Sequence, residues 1–473
     1  MRANLTIEEV QNGLRAKEFS AVELTQWYQR QIKEKNPHLN AYLTLNEEAL
    51  ATASLVDKKI SAGAKIGPLS GIPMAIKDVI VTQGIRTTAG SKILENYIPP
   101  YDATVVDKIK KQAGIILGKV NCDEFAMGSS NENSAFGPTR NSIAPDRVPG
   151  GSSGGSAVAV AADLCTYSLG TDTGGSVRQP AAFCGVVGLK PTYGRCSRYG
   201  LIAMASSFDQ PGVLAKTVKD AAIVLESIAG PDRLDSSAKD KPLKKWAAEI
   251  DQDVRGMRVA LPKQFLEEGL NTEVEKSVRL AAEKLTRAGA KVELVDWPLL
   301  EMALAIYYII MPAEVSANLA RFDGIRYGMT VGAEDLWSHY QQTRGQLLGP
   351  EVKRRILTGT YVLSAGYYDA YYKKADLAKK RMRQLFAQQW QKYQAVLSPT
   401  TPTTAFKIGE KTTDPMAMYL SDVYTVVANI IGAPGISVPG GTDSQKLPIG
   451  WQLMSAPWRE DQMLRLAAVL EKE

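Results

Sequence analysis

The sequence predicts an α/β fold. Short apolar runs alternate with helix-like periods from about residue 67 onward. Glycine turns adjoin those runs, and a chain of 473 residues, 45% hydrophobic and 22% charged, is ordinary for a globular protein with a large core.

The first sixty-odd residues read as helical. Thr6-x-x-Glu9 and Ser20-x-x-Glu23 have the form of capping boxes, in which each hydroxyl accepts an N–H from the first turn. Val22, Trp27 and Ile32 give the second helix an apolar face, and Pro37 is expected to end it. Pro73-Met74-Ala75-Ile76 and Ile115-Ile116-Leu117 read as strands, with a helix over 104–112 between them. A buried helix start follows at 157–162 and a strand at 164–170. Polar residues 232–253 suggest a surface excursion. Val259-Ala260-Leu261-Pro262 is strand-like, 271–289 helical, about 350–395 one long helical stretch, and 432–439 strand with turns. There is no internal repeat and no interdomain linker.

Composition narrows the function. The formal net charge of +6 is spread over a long chain, so nucleic acid is permitted but not required. The basic run Lys379-Lys380-Arg381-Met382-Arg383 reads as a solvated helix face. The four cysteines (Cys122, Cys165, Cys184, Cys196) form no C-x-x-C pair and have no nearby histidine, so no metal site is expected and a reducing compartment is. No apolar run approaches the ~20 residues that span a bilayer, and the N-terminus has no apolar signal region. No membrane association is expected, and a cytoplasmic or organellar location is.

The chemistry is concentrated in two glycine–serine turns, at 150–156 (Gly-Gly-Ser-Ser-Gly-Gly-Ser) and 172–176 (Asp-Thr-Gly-Gly-Ser). Glycines beside a serine expose its hydroxyl and bare backbone N–H groups, as a nucleophile with an oxyanion hole requires. Residues 150–154 match G-x-S-x-G, but the preceding Pro145-Asp146-Arg147-Val148-Pro149 is no apolar strand. Only two histidines are present, His38 and His339, and His339 reads as a surface residue. Neither turn carries the lysine of a phosphate-binding loop. A serine can instead be activated by a lysine that burial keeps neutral. Lys77, in the apolar run Gly71-Ile72-Pro73-Met74-Ala75-Ile76-Lys77, is the candidate, set against a surface lysine at a strand end beside Asp78.

Lys77, residues 150–156 and the run 170–180 (Gly-Thr-Asp-Thr-Gly-Gly-Ser-Val-Arg-Gln-Pro) together resemble the amidase signature family. Ser152 lies 75 residues after Lys77 and 24 before Ser176. The resemblance covers essentially the whole chain. It implies one domain built on a mixed β-sheet with helices on both faces: an N-terminal helical segment (1–65), a core carrying the catalytic residues (67–230), and the remaining sheet and pocket helices (231–473). It implies a Ser–Ser–Lys triad with Ser176 as nucleophile, Ser152 as bridging serine after a cis Gly151–Ser152 peptide, and Lys77 as base. The N–H groups of Thr173, Gly174, Gly175 and Ser176 would form the oxyanion hole.

Within the family, Asp123-Glu124-Phe125-Ala126-Met127-Gly128-Ser129-Ser130, Ser197-Arg198-Tyr199-Gly200-Leu201, Arg354-Arg355-Ile356 and the tyrosine-rich 366–372 resemble the glutaminase subunits of tRNA-dependent amidotransferases. That resemblance implies free glutamine as substrate. Arg355 would pair its α-carboxylate and Asp422 its α-ammonium, with Met127, Gly128 and Ser129 helping and Tyr307 or Tyr308 gating the pocket. It implies two partner subunits, one of which binds ATP and magnesium and acts on misacylated tRNA, and no cofactor in this chain. The alternatives are a stand-alone amidase for small or acyl amides and a catalytically silent scaffold or tRNA-binding subunit.

Overall fold

The computed structural model describes residues 3–267 and 269–472. Eleven strands form one sheet: β1 (Tyr42–Leu45), β2 (Pro73–Lys77), β3 (Ile115–Val120), β4 (Tyr167–Asp172), β5 (Val187–Lys190), β6 (Gln210–Ala215), β7 (Arg258–Pro262), β8 (Lys291–Val295), β9 (Ala395–Pro399), β10 (Gly435–Thr442) and β11 (Pro448–Ser455). Their spatial order is β1-β3-β2-β4-β6-β5-β10-β11-β9-β7-β8. The sheet is mixed: β2 runs parallel to β3 and β4, and β7 to β8 and β9, while the other neighbours are antiparallel. Every residue of β2, β3, β4, β6, β9 and β11 is buried. A strand buried at every position has cover on both faces, and that explains its continuous apolar runs. The edge strand β8 keeps exposed positions.

Both expected capping boxes form, at Thr6 and Ser20, and start the helices Ile7–Ala16 and Ala21–Leu39. Three sequence expectations are corrected. Pro37 does not end its helix, which runs to Leu39 and stops at Asn40 in the left-handed conformation. A proline in the last turn costs the helix one hydrogen bond there, so the αL cap decides the end. The N-terminal segment is not wholly helical, because β1 pairs antiparallel to β3 between two helices. The stretch 350–395 is interrupted: the helices Pro350–Leu363 and Lys373–Gln389 flank a break at Gly366, whose φ of +85° is outside the helical range.

A fourth correction concerns apolar length. The helical stretch Pro298–Leu319 is long and apolar enough to cross a membrane by length and composition. Half of that stretch is buried inside the protein, including Ile306, Tyr307, Ile310, Met311 and Val315. A helix apolar on all sides is what a protein core also demands. The 232–253 excursion is anchored by the buried Trp246, under the Arg195 guanidinium 5.4 Å from its ring. All four cysteines are buried and free.

Candidate active site

The two glycine–serine turns meet at the carboxyl ends of the parallel neighbours β2 and β4. Open α/β sheets bind ligands at such strand ends. Lys77 is the last residue of β2 and is 0% exposed. Its Nζ contacts Ser152 Oγ at 2.7 Å, Thr171 Oγ1 at 2.9 Å and Thr171 O at 3.4 Å. None of these partners is a carboxylate. Two acceptors and one hydroxyl able to donate suit a neutral amine, which has two N–H groups and one lone pair. Desolvation lowers the Lys77 pKa to about 8, against the weaker pull of Cys122, Asp123, Asp172 and Asp209. Lys119 on the adjacent strand is equally buried but meets Asp78 at 3.7 Å and Ile80 O at 2.5 Å. Asp78, beside Lys77 in sequence, is thus the ion partner of the other lysine.

Ser152 is 0% and Ser176 8% exposed. The Gly151–Ser152 peptide is cis. The turns are laced together: Ser153 N–H donates to Ser176 O at 3.1 Å, and Gly151 N–H to Gln179 Oε1 at 2.8 Å. Gln179 Nε2 in turn donates to Ser129 O at 2.7 Å, tying both turns to the 127–129 loop. A side chain at Gly151 would collide with Asp123 and with the N–H of Ser130.

The turn ahead of Ser176 is pinned on several sides. Asp172 accepts from Gly175 N–H at 3.0 Å and Val177 N–H at 3.3 Å. Thr173 Oγ1 donates to Asp209 at 2.6 Å, and Thr425 Oγ1 to Gly174 O at 2.6 Å. Gly175 has φ +135° and packs on Thr425, so no other residue fits there. This alters the expected oxyanion hole: the Gly175 N–H is committed to Asp172. The N–H groups of Thr173, Gly174 and Ser176 have no acceptor among the described residues.

Asp172 is held by Arg178 through one guanidinium edge, Nε at 3.0 Å and Nη2 at 2.9 Å, with both side chains fully buried. Arg178 also reaches Asn429, Gln452 and Thr425 O. Burial by itself would raise Asp172, but Arg178 holds it down at about 2.

The expected pocket residues also converge. Asp422 Oδ2 accepts from Ser129 Oγ at 2.7 Å and from Tyr308 OH at 3.0 Å. Burial raises its pKa to about 6, against those two hydrogen bonds and the charge of Arg355. The Arg355 guanidinium lies 5.7 Å from the Tyr308 ring centre and 5.6 Å from that of Tyr419. The two tyrosines left in question have different places. Tyr308 reaches Asp422, whereas Tyr307 packs against Gly174 of the second turn. Met127 O accepts from Asn133 Nδ2 at 3.2 Å, and Gly128 packs on Asp123, where a Cβ would collide. Arg355, Glu351, Tyr419, Gly128 and Ser130 line a small cavity; the larger surface clefts, one between the first two helices at Leu5, Phe19 and Trp27, include none of the site residues. His339 contacts Thr330 at 2.9 Å and takes no part.

Sequence reasoning assigned no role to Thr171, Asp172, Arg178, Gln179, Asp123 or Glu351. Asp172, Arg178 and Gln179 stood inside the signature run, so a search for buried charge beside the nucleophile would have found them.

A buried lysine at a serine, a second serine on a glycine turn and free backbone donors form a site equipped for acyl transfer. The family model described as Amidase matches residues 23–464. The chain belongs to the amidase family. It is 51% identical over 469 residues to the A subunit of the glutamyl-tRNA(Gln) amidotransferase of Koribacter versatilis, covering 99% of this chain and 98% of that one. Among solved structures, the A subunit of the glutamyl-tRNA(Gln) amidotransferase of Thermotoga maritima superposes with a TM-score of 0.82 at 43% identity, over 99% and 94% of the two chains. The native peptide amidase of Stenotrophomonas maltophilia superposes at 0.84 with 32% identity, over 99% and 96%. The mixed sheet with its flanking helices is the fold of these amidases.

The pH dependence of amide hydrolysis follows from the site. A base must be deprotonated, and with a Lys77 pKa of about 8, roughly a tenth of the amine is neutral at pH 7. We expect kcat/KM to climb as pH rises through 8 and level off above it. A profile flat between pH 6.5 and 9 removes Lys77 as the base.

Proposed function

We propose that this chain is the glutaminase subunit of a tRNA-dependent amidotransferase, working in the cytoplasm or an organellar matrix. The observation that carries glutamine, rather than a simple amide, is the placement of a buried guanidinium and a buried carboxylate against the same tyrosine. Arg355 and Asp422 flank Tyr308, and free glutamine offers the matching carboxylate and ammonium. The similarity to amidotransferase A subunits over the whole chain supports the same reading.

In this mechanism neutral Lys77 draws a proton from Ser152, which draws one from Ser176. Ser176 Oγ attacks the side-chain amide carbon of glutamine, and the oxyanion is met by the N–H groups of Thr173, Gly174 and Ser176. The proton returns by the same route to the leaving nitrogen as ammonia departs. Water then hydrolyses the glutamyl ester. The contact between Lys77 and Ser152 and the hydrogen bond between Ser153 and Ser176 O support the path. The ammonia serves a partner subunit that binds ATP and magnesium and activates the misacylated tRNA, with a small third subunit completing the complex.

The competing reading is a stand-alone amidase, favoured by the superposition on a peptide amidase. Truncating a buried charged partner of a ligand costs about 2–5 kcal/mol. Arg355→Ala is therefore expected to raise KM for glutamine at least about 30-fold. Steady-state assays with glutamine and butyramide check this, and copurification asks whether two further chains come down. An equal effect on both amides, with no partner chains recovered, favours the stand-alone enzyme.

A further inference from the structure

Glu351 has no part in the mechanism above, yet it is wired into the pocket. It lies one helical turn before Arg355 in the helix Pro350–Leu363. Its Oε1 accepts from Arg355 Nε at 2.7 Å and from Tyr419 OH at 3.0 Å, and its Oε2 accepts from Arg354. Tyr419 stacks on Tyr308 with ring centres 4.0 Å apart and planes 22° from parallel. Tyr308 OH reaches Asp422 at 3.0 Å. A continuous set of contacts thus runs from Glu351 to Asp422.

We propose that Glu351 is the positioning residue for Arg355: held by the Tyr419 hydroxyl, it grips the guanidinium at Nε and presents the opposite edge to the α-carboxylate of an amino-acid amide. The inference rests on the glutaminase reading. Three features of the geometry support it. Arg355 Nη1 meets only the weak acceptor Met311 Sδ, at 3.7 Å, and Nη2 has no acceptor among the described residues, so the edge away from Glu351 has no strong acceptor. A guanidinium binds a carboxylate in two parallel hydrogen bonds only when its plane is fixed, and here one carboxylate and two rings fix it. The charges also match a zwitterion. Arg354, Arg355 and Glu351 sum to one positive charge at the carboxylate end, and Asp422 supplies one negative charge at the ammonium end. With both its oxygens engaged, Glu351 holds rather than transfers protons.

The test compares L-glutamine with butyramide, which lacks both charged groups, using the full chain in whatever assembly it is purified. Glu351→Gln preserves shape and removes the charge, and Tyr419→Phe keeps the ring but removes the hydroxyl that holds Glu351. For Glu351→Gln, the ratio of kcat/KM for glutamine to that for butyramide is expected to fall about tenfold, through KM. Tyr419→Phe shifts it the same way by less, and Glu351→Asp recovers part of the loss. An unchanged ratio overturns the proposal, as does an equal loss on both amides with a lowered melting temperature, which is a structural role. A lower KM for glutamine in Glu351→Gln also overturns it, since Glu351 would then compete with substrate. Unmutated protein with no preference for glutamine over butyramide instead overturns the glutaminase reading, and it is recognisable before any variant is made.

Discussion

Ser176→Ala and Lys77→Met are each expected to reduce ammonia release from glutamine by about 10⁴-fold or more, because residues of a nucleophile–base unit fail together rather than additively. Ser176 contributes the only one of the three hydroxyl or amine groups that is not fully buried, so its loss leaves no atom to form the ester. Lys77→Met keeps the stem and removes the acceptor for the Ser152 proton. It also leaves the buried Thr171 hydroxyl without its partner, at a cost of about 1–3 kcal/mol for a buried group left unpaired, while the Thr171 carbonyl keeps the Ser153 hydroxyl. The melting temperature is therefore read alongside the rate. Folded Lys77→Met protein that releases ammonia near the unmutated rate removes the mechanism, and so does active Ser176→Ala.

Arg178→Met is expected to destabilise the protein by about 3–5 kcal/mol, the usual consequence of stripping the partner from a buried charge. Asp172 would be left inside with hydrogen bonds from Asn429 and two backbone N–H groups and the more distant charge of Lys190. Those N–H groups belong to Gly175 and Val177 on either side of Ser176, so activity should fall with stability. The double variant Asp172→Asn, Arg178→Met removes both charges and should regain part of the stability but not the activity. Denaturant unfolding checks this. The pH dependence has a defined sign. The Asp172 pKa is depressed to about 2 in the folded state, below its usual value near 3.8. Its stabilisation is present above the unfolded pKa and lost as pH falls from about 4 towards 2. An Arg178→Met protein as stable as its parent, with an unchanged acid limb, would falsify the assigned role.

Legibility differs from element to element. The capping boxes at Thr6 and Ser20 are readable because a cap is a contact across three residues. β2 and β4 are readable because strands buried on both faces have few polar positions. β1 is not, because four residues at a sheet edge are recruited by pairing with β3, over seventy positions away. The helical stretch 298–319 is hard to read because its buried face and its pocket-facing tyrosines share one apolar run. In the site, histidine scarcity and the two glycine–serine turns point to Lys77 from the sequence, whereas Arg355 and Asp422 rest on resemblance, since an isolated charge on a helix has no distinctive pattern.

The sequence by itself determined the α/β class, the family, and which serines and which lysine to compare, because these depend on residue type and spacing along the chain. The tertiary structure alone decided that Asp78 serves Lys119 and leaves Lys77 without a carboxylate. It alone showed that Asp172 takes the Gly175 N–H, and that Glu351, Tyr419, Tyr308 and Asp422 form one connected wall. Each of these outcomes turns on which buried group lies within about 3–4 Å of which other, where desolvation makes every partner count. That proximity is set by strand order and helix packing across hundreds of residues, and local sequence does not encode it.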